Sequence, residues 1–133
     1  MEKEKHITYW LDSSEEDWLS ANEIAVKNER KYIALFLGHL SSEKLLKALY
    51  VKLFDQTPPY KHDLVLFAEK CNLELDDEIV TDLKIINEFN IQARYPDYKN
   101  EFIKRSTANF VNAELKRIER IREWIKSIIA NMQ

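Results

Sequence analysis

One glycine, Gly38, stands in a chain of 133 residues. That scarcity decides most of what the chain can be. Phosphate-cradling loops need glycine where backbone must approach a ligand, so no P-loop or dinucleotide fingerprint fits. Tight hairpin turns also favour glycine, which argues against a sheet-rich fold. The prolines are only Pro58, Pro59 and Pro96. Leu, Ile, Lys, Glu and Ala dominate, the residues of helix interiors. The expectation is an all-α domain.

The length suits one domain over residues 1–133, and 45% hydrophobic residues suffice for one core. The formal net charge of −3 argues against a general nucleic-acid binder, which is usually basic, but leaves room for a local basic patch. A lone cysteine, Cys71, makes no intrachain disulfide and fits a reducing compartment. The first residues, Met1 to His6, lack the apolar stretch of a signal peptide. No apolar run approaches the ~18 residues that span a bilayer. These features predict a cytoplasmic protein without a membrane segment.

Apolar spacing predicts five helical segments. The first runs from about Ser13 to Asn28, capped by Ser13 or Ser14, with Glu15, Glu16 and Asp17 on the positive end of the dipole. The second, about Lys31 to Phe54, is apolar nearly all round, as central helices are. Gly38 inside it costs ~1 kcal/mol relative to alanine, which points to close approach by a neighbouring helix. Pro58 and Pro59 break the chain over Asp55–Asp63. A short third helix follows over about Asp63 to Cys71, with Cys71 read as a buried small hydrophobe. The fourth begins after the acidic turn Leu73–Glu78 and ends near Arg94, because Pro96 biases Tyr95 away from helix. After an irregular stretch, Ser106 or Thr107 opens the last helix, whose stripe is Val111, Leu115, Ile118, Ile125, Ile129 and Met132. Short connections favour antiparallel neighbours, so the expected architecture is an up-and-down antiparallel bundle of four main helices plus one short helix. Trp10, Trp18 and Trp124 are read as core or interface anchors. An apolar helix face would let two copies pair as a homodimer.

Metal chemistry finds no support. The residues three before His6, His39 and His62 are Lys3, Phe36 and Pro59, so the Glu-x-x-His pattern of di-iron bundles is absent, as is His-x-x-x-His. No cofactor is implied. Polar residues do interrupt the apolar second helix in one row, His39, Glu43 and Lys47, at i, i+4 and i+8. Two readings stand. The row faces solvent or a helix junction, with Glu43 and Lys47 as an ordinary ion pair. Alternatively it walls a groove in which His39 meets a ligand and Lys47 an anion. His62, beside the prolines, either opens the third helix with Asp63 or covers the mouth of that groove. In the segment Ala93–Tyr98, Arg94 offers a fork for phosphate or carboxylate, and Tyr95 and Tyr98 offer rings for a base. The competing reading is an Arg94–Asp97 pair with the tyrosines packing the bundle end.

The stretches "YWLDSSEEDWLSANEIA", "ALFLGHLSSEKLLKALYV", "TPPYKHDLVLFAEKC" and "ARYPDY", in that order over almost the whole chain, resemble the HEPN domain family (higher eukaryotes and prokaryotes nucleotide-binding). "EKLLKAL" and "ARYPD" are the most distinctive pieces. The resemblance implies a helical bundle that commonly dimerises. It also implies frequent pairing with a small nucleotidyltransferase in toxin–antitoxin or related modules, and a link to nucleotide or RNA binding. Many members are metal-independent ribonucleases that use an arginine followed four to six residues later by a histidine. Here Tyr98 to Asn100 stand at that distance from Arg94, and Asn109 to Val111 from Arg105. Metal-free RNA cleavage needs a proton acceptor near the 2′-hydroxyl, and the matching histidine is missing.

The sequence therefore predicts a HEPN-like module that binds a nucleotide or RNA-like anion rather than cleaving it, with no catalytic residue assigned. Its ligand residues would be Arg94, Tyr95, His39, Glu43, Lys47, His62 and Asp97, and its partner a nucleotidyltransferase. The alternatives are a divergent metal-independent ribonuclease using His39 or His62 with Arg94, and a purely structural dimeric adaptor.

Overall fold

The computed structural model describes residues 2–27, 29–60 and 62–132, and among them the chain forms six helices and no strand. These are α1 (Lys3–Ala25), α2 (Lys31–Phe54), α3 (Leu64–Lys70), α4 (Asp77–Arg94), α5 (Pro96–Arg105) and α6 (Ala108–Ala130).

Side-chain pairings give the directions. Ser14 meets Ser41, Asp17 meets Lys44 and Trp10 meets Lys47, so α1 runs antiparallel to α2. Arg117 on α6 reaches back to Asp82 on α4, and Trp124 shares a hollow with Ile79, so these two are antiparallel as well. Helices α2 and α6 run the same way and meet across the bundle, from Gly38 against Ile118 to Lys52 on the Ile129 carbonyl. The bundle is thus up-and-down, with α2 touching each of the other helices.

That central position follows from the apolar circumference of α2. Leu35, Leu45, Leu46, Leu49 and Val51 are all buried, along with Phe67, Leu83, Ile86, Phe89 and Ile118 from its neighbours. Gly38 is where α6 comes closest. A Cβ there would lie inside van der Waals contact with Ile118 Cδ1. Cys71 is buried, its thiol faces the Leu46 carbonyl at 3.8 Å, and burial pushes its pKa up to about 12. No helix is long and apolar enough to cross a membrane among the described residues.

Two elements differ from the expectation. Helix α1 begins at Lys3 rather than near Ser13. Ile7, Leu11, Ser14, Trp18, Ala21 and Ala25 form one continuous stripe on α2, so packing carries the helix through the serines that resemble caps. The stretch after Arg94 is also helical. Tyr95 is extended (φ −97°, ψ 126°), as a residue before proline should be, and Pro96 then opens α5 from its first turn. Proline lacks only an N–H that has no intrahelical partner there.

Candidate functional site

The break after α2 is the natural place to begin. Asp55 ends that helix in the left-handed region (φ 50°), and the chain stays out of helix through the two prolines. The chain re-enters helix at Asp63, whose carboxylate accepts from the N–H groups of Val65 and Leu66 at 3.0 and 3.2 Å. Of the two residues proposed to open α3, Asp63 is the cap, and His62 does something else.

His62 closes onto the polar row of α2. Its Nδ1 lies 2.9 Å from Glu43 Oε1, and the other carboxylate oxygen lies 3.3 Å from Lys47 Nζ. Lys47 in turn sits 4.6 Å from the centroid of the Trp10 ring on α1. His39 Nε2 lies 3.2 Å from the His62 carbonyl, to which it donates. Asn87 on α4 accepts from the Leu64 N–H at 3.2 Å and sets its amide beside His39, without closing a hydrogen bond to Nδ1. One polar chain thus ties α1, α2, α4 and the proline loop together.

Burial sets the electrostatics. His39 is fully buried, and desolvation lowers its pKa despite the opposing pull of the Glu43 carboxylate and of the hydrogen bond to the His62 carbonyl. It is a neutral imidazole at neutral pH. Glu43 is also buried, and its two partners use both oxygens. His39 and Glu43 therefore do not wall an open groove, as one reading of the row has it. The row sits at a helix junction, and the loop lies over it.

Arg94, Tyr95 and Asp97 stand elsewhere. Arg94 lies at the end of α4, seven residues or about 10 Å along the axis from Asn87. There it joins Tyr32, Ile33, Phe36 and Ala93 around a mostly apolar hollow of about 330 Å³. Lys47 lies the other way along α2, eight residues or about 12 Å from His39. Arg94 and Lys47 are thus separated by about 20 Å along the bundle and do not meet in one hollow. The joint Arg94–His39–Lys47 cleft does not form, because α2 and α4 are antiparallel and these residues fall at different levels.

The Arg94–Asp97 pair does not form either. Asp97 is exposed in the first turn of α5, and Arg94 makes no ion pair among the described residues. Tyr95 and Tyr98 are 55% and 54% exposed, so they do not pack the bundle end. Lys99 covers the ring of Tyr32, 5.9 Å from its centroid, and Lys104 is exposed nearby. Arg105 is engaged, hydrogen-bonded to Gln92 at 2.6 Å and lying over Phe102 and Phe110.

Three participants lie outside the sequence-based set. Trp10 and Asn87 complete the polar chain. Arg122 on α6 is buried and donates to the hydroxyls of Ser14 (2.7 Å) and Ser41 and to Glu15 at 2.9 Å, with its plane near Trp18. A signal for Arg122 was present: it falls four residues after Ile118 and three before Ile125, inside the apolar stripe. No group of three His, Cys, Asp or Glu side chains is placed to hold a metal among the described residues.

No curated protein and no solved structure matches this chain. The family model of the HEPN domain matches residues 7–128, from the second turn of α1 nearly to the end of α6. The chain belongs to the HEPN domain family and is, in general terms, a nucleotide- or RNA-related helical module.

Proposed function

We propose that the chain is a non-catalytic HEPN binding module that holds a nucleotide or RNA-like anion at the α4–α5 corner. The supporting observation is Arg94: an exposed guanidinium with no acidic partner among the described residues, at the rim of an apolar hollow. Arginine presents donors in a fork that matches phosphate, and an unpaired one keeps that fork available. Tyr95 and Tyr98 supply exposed rings beside it, and Lys99, over the Tyr32 ring that lines the same hollow, supplies further positive charge.

Cleavage is not part of the proposal. A base must come within hydrogen-bond reach of the proton it takes. His39, on the helix that also walls the Arg94 hollow, lies about two turns away and is enclosed. The module would act in the cytoplasm, as a homodimer, with a small nucleotidyltransferase in a toxin–antitoxin-like pair. The dimer and the partner rest on what the family resemblance implies, and the compartment on the lone cysteine and the absence of a long apolar run in the sequence.

Titration calorimetry with nucleoside mono- and triphosphates and a short single-stranded RNA tests the reading. Binding is expected to weaken about tenfold or more in Arg94→Ala, the worth of a charge-assisted hydrogen bond. No heat with any of these ligands, together with unchanged affinity of Arg94→Ala for a nucleotidyltransferase partner, would end the proposal.

A further inference from the structure

His62 is held more firmly than a loop residue needs to be. Its backbone carbonyl is pinned by His39 Nε2 at 3.2 Å, and its ring by Glu43 at 2.9 Å. The Tyr60 ring stands edge-on to the imidazole at 5.2 Å between centroids. Glu43 is fixed by Lys47, and Lys47 by Trp10. A carboxylate only accepts hydrogen bonds, so the proton between His62 and Glu43 sits on Nδ1. The lone pair is then on Nε2. That atom makes no hydrogen bond among the described residues, is not enclosed, and belongs to a side chain 41% exposed.

An imidazole with its Nδ1–H on a carboxylate and its Nε2 open is an oriented base and nucleophile. The burial of Glu43 points the same way. Sealing a carboxylate under a loop is expensive, and an apolar residue of similar volume would hold the loop at lower cost. The ionised group is explained if its task is to fix the tautomer of His62.

We infer that His62 Nε2 is a nucleophilic and proton-accepting centre for a small, uncharged carboxylic ester, with Glu43 as its positioning residue. The hollow that begins at the next residue, whose lining does not include His62 itself, suggests the substrate class. Immediately after His62, Asp63 enters a hollow of about 510 Å³ between α3 and α4, walled by Val65, Leu66 and Ile85. Its charged rim carries Asp63 and Glu88 against Lys84. Apolar walls suit an uncharged acyl group, and two carboxylates disfavour a polyanion. The centre is distinct from the Arg94 corner and does not rest on the binding reading.

The step balances without a co-reactant other than water. The Nε2 lone pair attacks the carbonyl carbon, the ester C–O bond breaks, and the alkoxide or phenolate leaves with its electron pair. The imidazole stays bonded to Glu43 through Nδ1–H. Water then adds to the acyl-imidazolium, the acyl–nitrogen bond breaks with its electron pair returning to Nε2, the carboxylic acid leaves, and the proton released passes to solvent or to the departed alkoxide or phenolate.

The probe is p-nitrophenyl acetate with the full chain. Wild type is expected to release p-nitrophenolate at least several-fold faster than free imidazole at equal concentration. Folded His62→Gln should lose that excess, and His6→Gln should keep it. Glu43→Gln should lower the rate and alter its pH profile, a change that a purely structural carboxylate would not produce. Rapid quenching and peptide mass spectrometry of wild type should find acetyl on His62, a readout independent of whether any variant folds. The inference is overturned if wild type is no faster than imidazole, if folded His62→Gln is as fast as wild type, or if acetyl appears only on lysines. Hydrolysis of bis(p-nitrophenyl) phosphate with the acetate ester untouched overturns the substrate class.

Discussion

At the scale of single residues, Gly38 shows two effects of opposite sign. Alanine there would gain ~1 kcal/mol of helix propensity. It would also drive a methyl into Ile118, which is fully buried and has little room to move. Overpacking of this kind costs ~1–3 kcal/mol, so Gly38→Ala should be destabilised by about 1 kcal/mol net in urea unfolding. Ile118→Val removes the obstructing Cδ1, so the double variant should recover part of that loss, a coupling a mutant cycle reads directly. His39 governs a pH effect. Burial lowers its pKa from the ordinary 6.5, with the Glu43 carboxylate opposing and the His62 ring reinforcing the shift. The unfolded chain then binds the extra proton first. The stability from keeping His39 neutral is fully present above pH 6.5 and is lost as the pH falls through the folded value. Unfolding free energy should drop as the pH falls from 6.5 toward the folded value, with a slope of up to ~1.4 kcal/mol per pH unit from this group, and His39→Gln should flatten the slope.

At the scale of elements, the boundaries depend on which local signal meets tertiary packing. Of the two residues read from sequence as opening α6, Ser106 or Thr107, Thr107 is the cap: its hydroxyl accepts from the Phe110 N–H at 3.3 Å. Ser14 carries the same chemical signal and is no cap; its hydroxyl donates to the Ser41 carbonyl at 2.7 Å. The difference lies in Ile7 and Leu11, which extend the apolar stripe of α1 past the serines onto α2. Helix α5 was hidden for the reverse reason. Its ten residues contribute Phe102 as the one buried side chain, too little to impose a periodicity on the sequence. Helix α3, with seven residues, depends on its ends. Asp63→Ala should cost about 1 kcal/mol and raise hydrogen exchange locally at Val65 and Leu66 before the long helices respond.

At the scale of the whole molecule, Arg122 joins three helices. It reaches Ser14 and Glu15 on α1 and Ser41 on α2 from its own place on α6. Burial works to lower its pKa, and the charges of Glu15, Glu123 and Asp17 work against that. Truncation would leave two buried hydroxyls and a void, so Arg122→Ala should lose about 3 kcal/mol, with Arg122→Met losing less because it fills the space. Thermal denaturation of the two variants separates these outcomes.

Residue types and their spacing were enough to determine a helical bundle, a central α2, the proline break and a close contact at Gly38, because each follows from periodicity, backbone chemistry or the size of one side chain. They also carried the ordered motifs of the family. Which polar residues share a neighbourhood was decided only by the tertiary structure. His39, Glu43 and Lys47 lie in one helical row by spacing alone, but that His62 folds back onto Glu43 depends on how the loop returns across α2. Arg94 falls about 10 Å from the level of His39 because α4 runs antiparallel to α2 at one particular register. Spacing along a chain fixes faces within a helix, whereas the register between helices comes from the packing of the whole core.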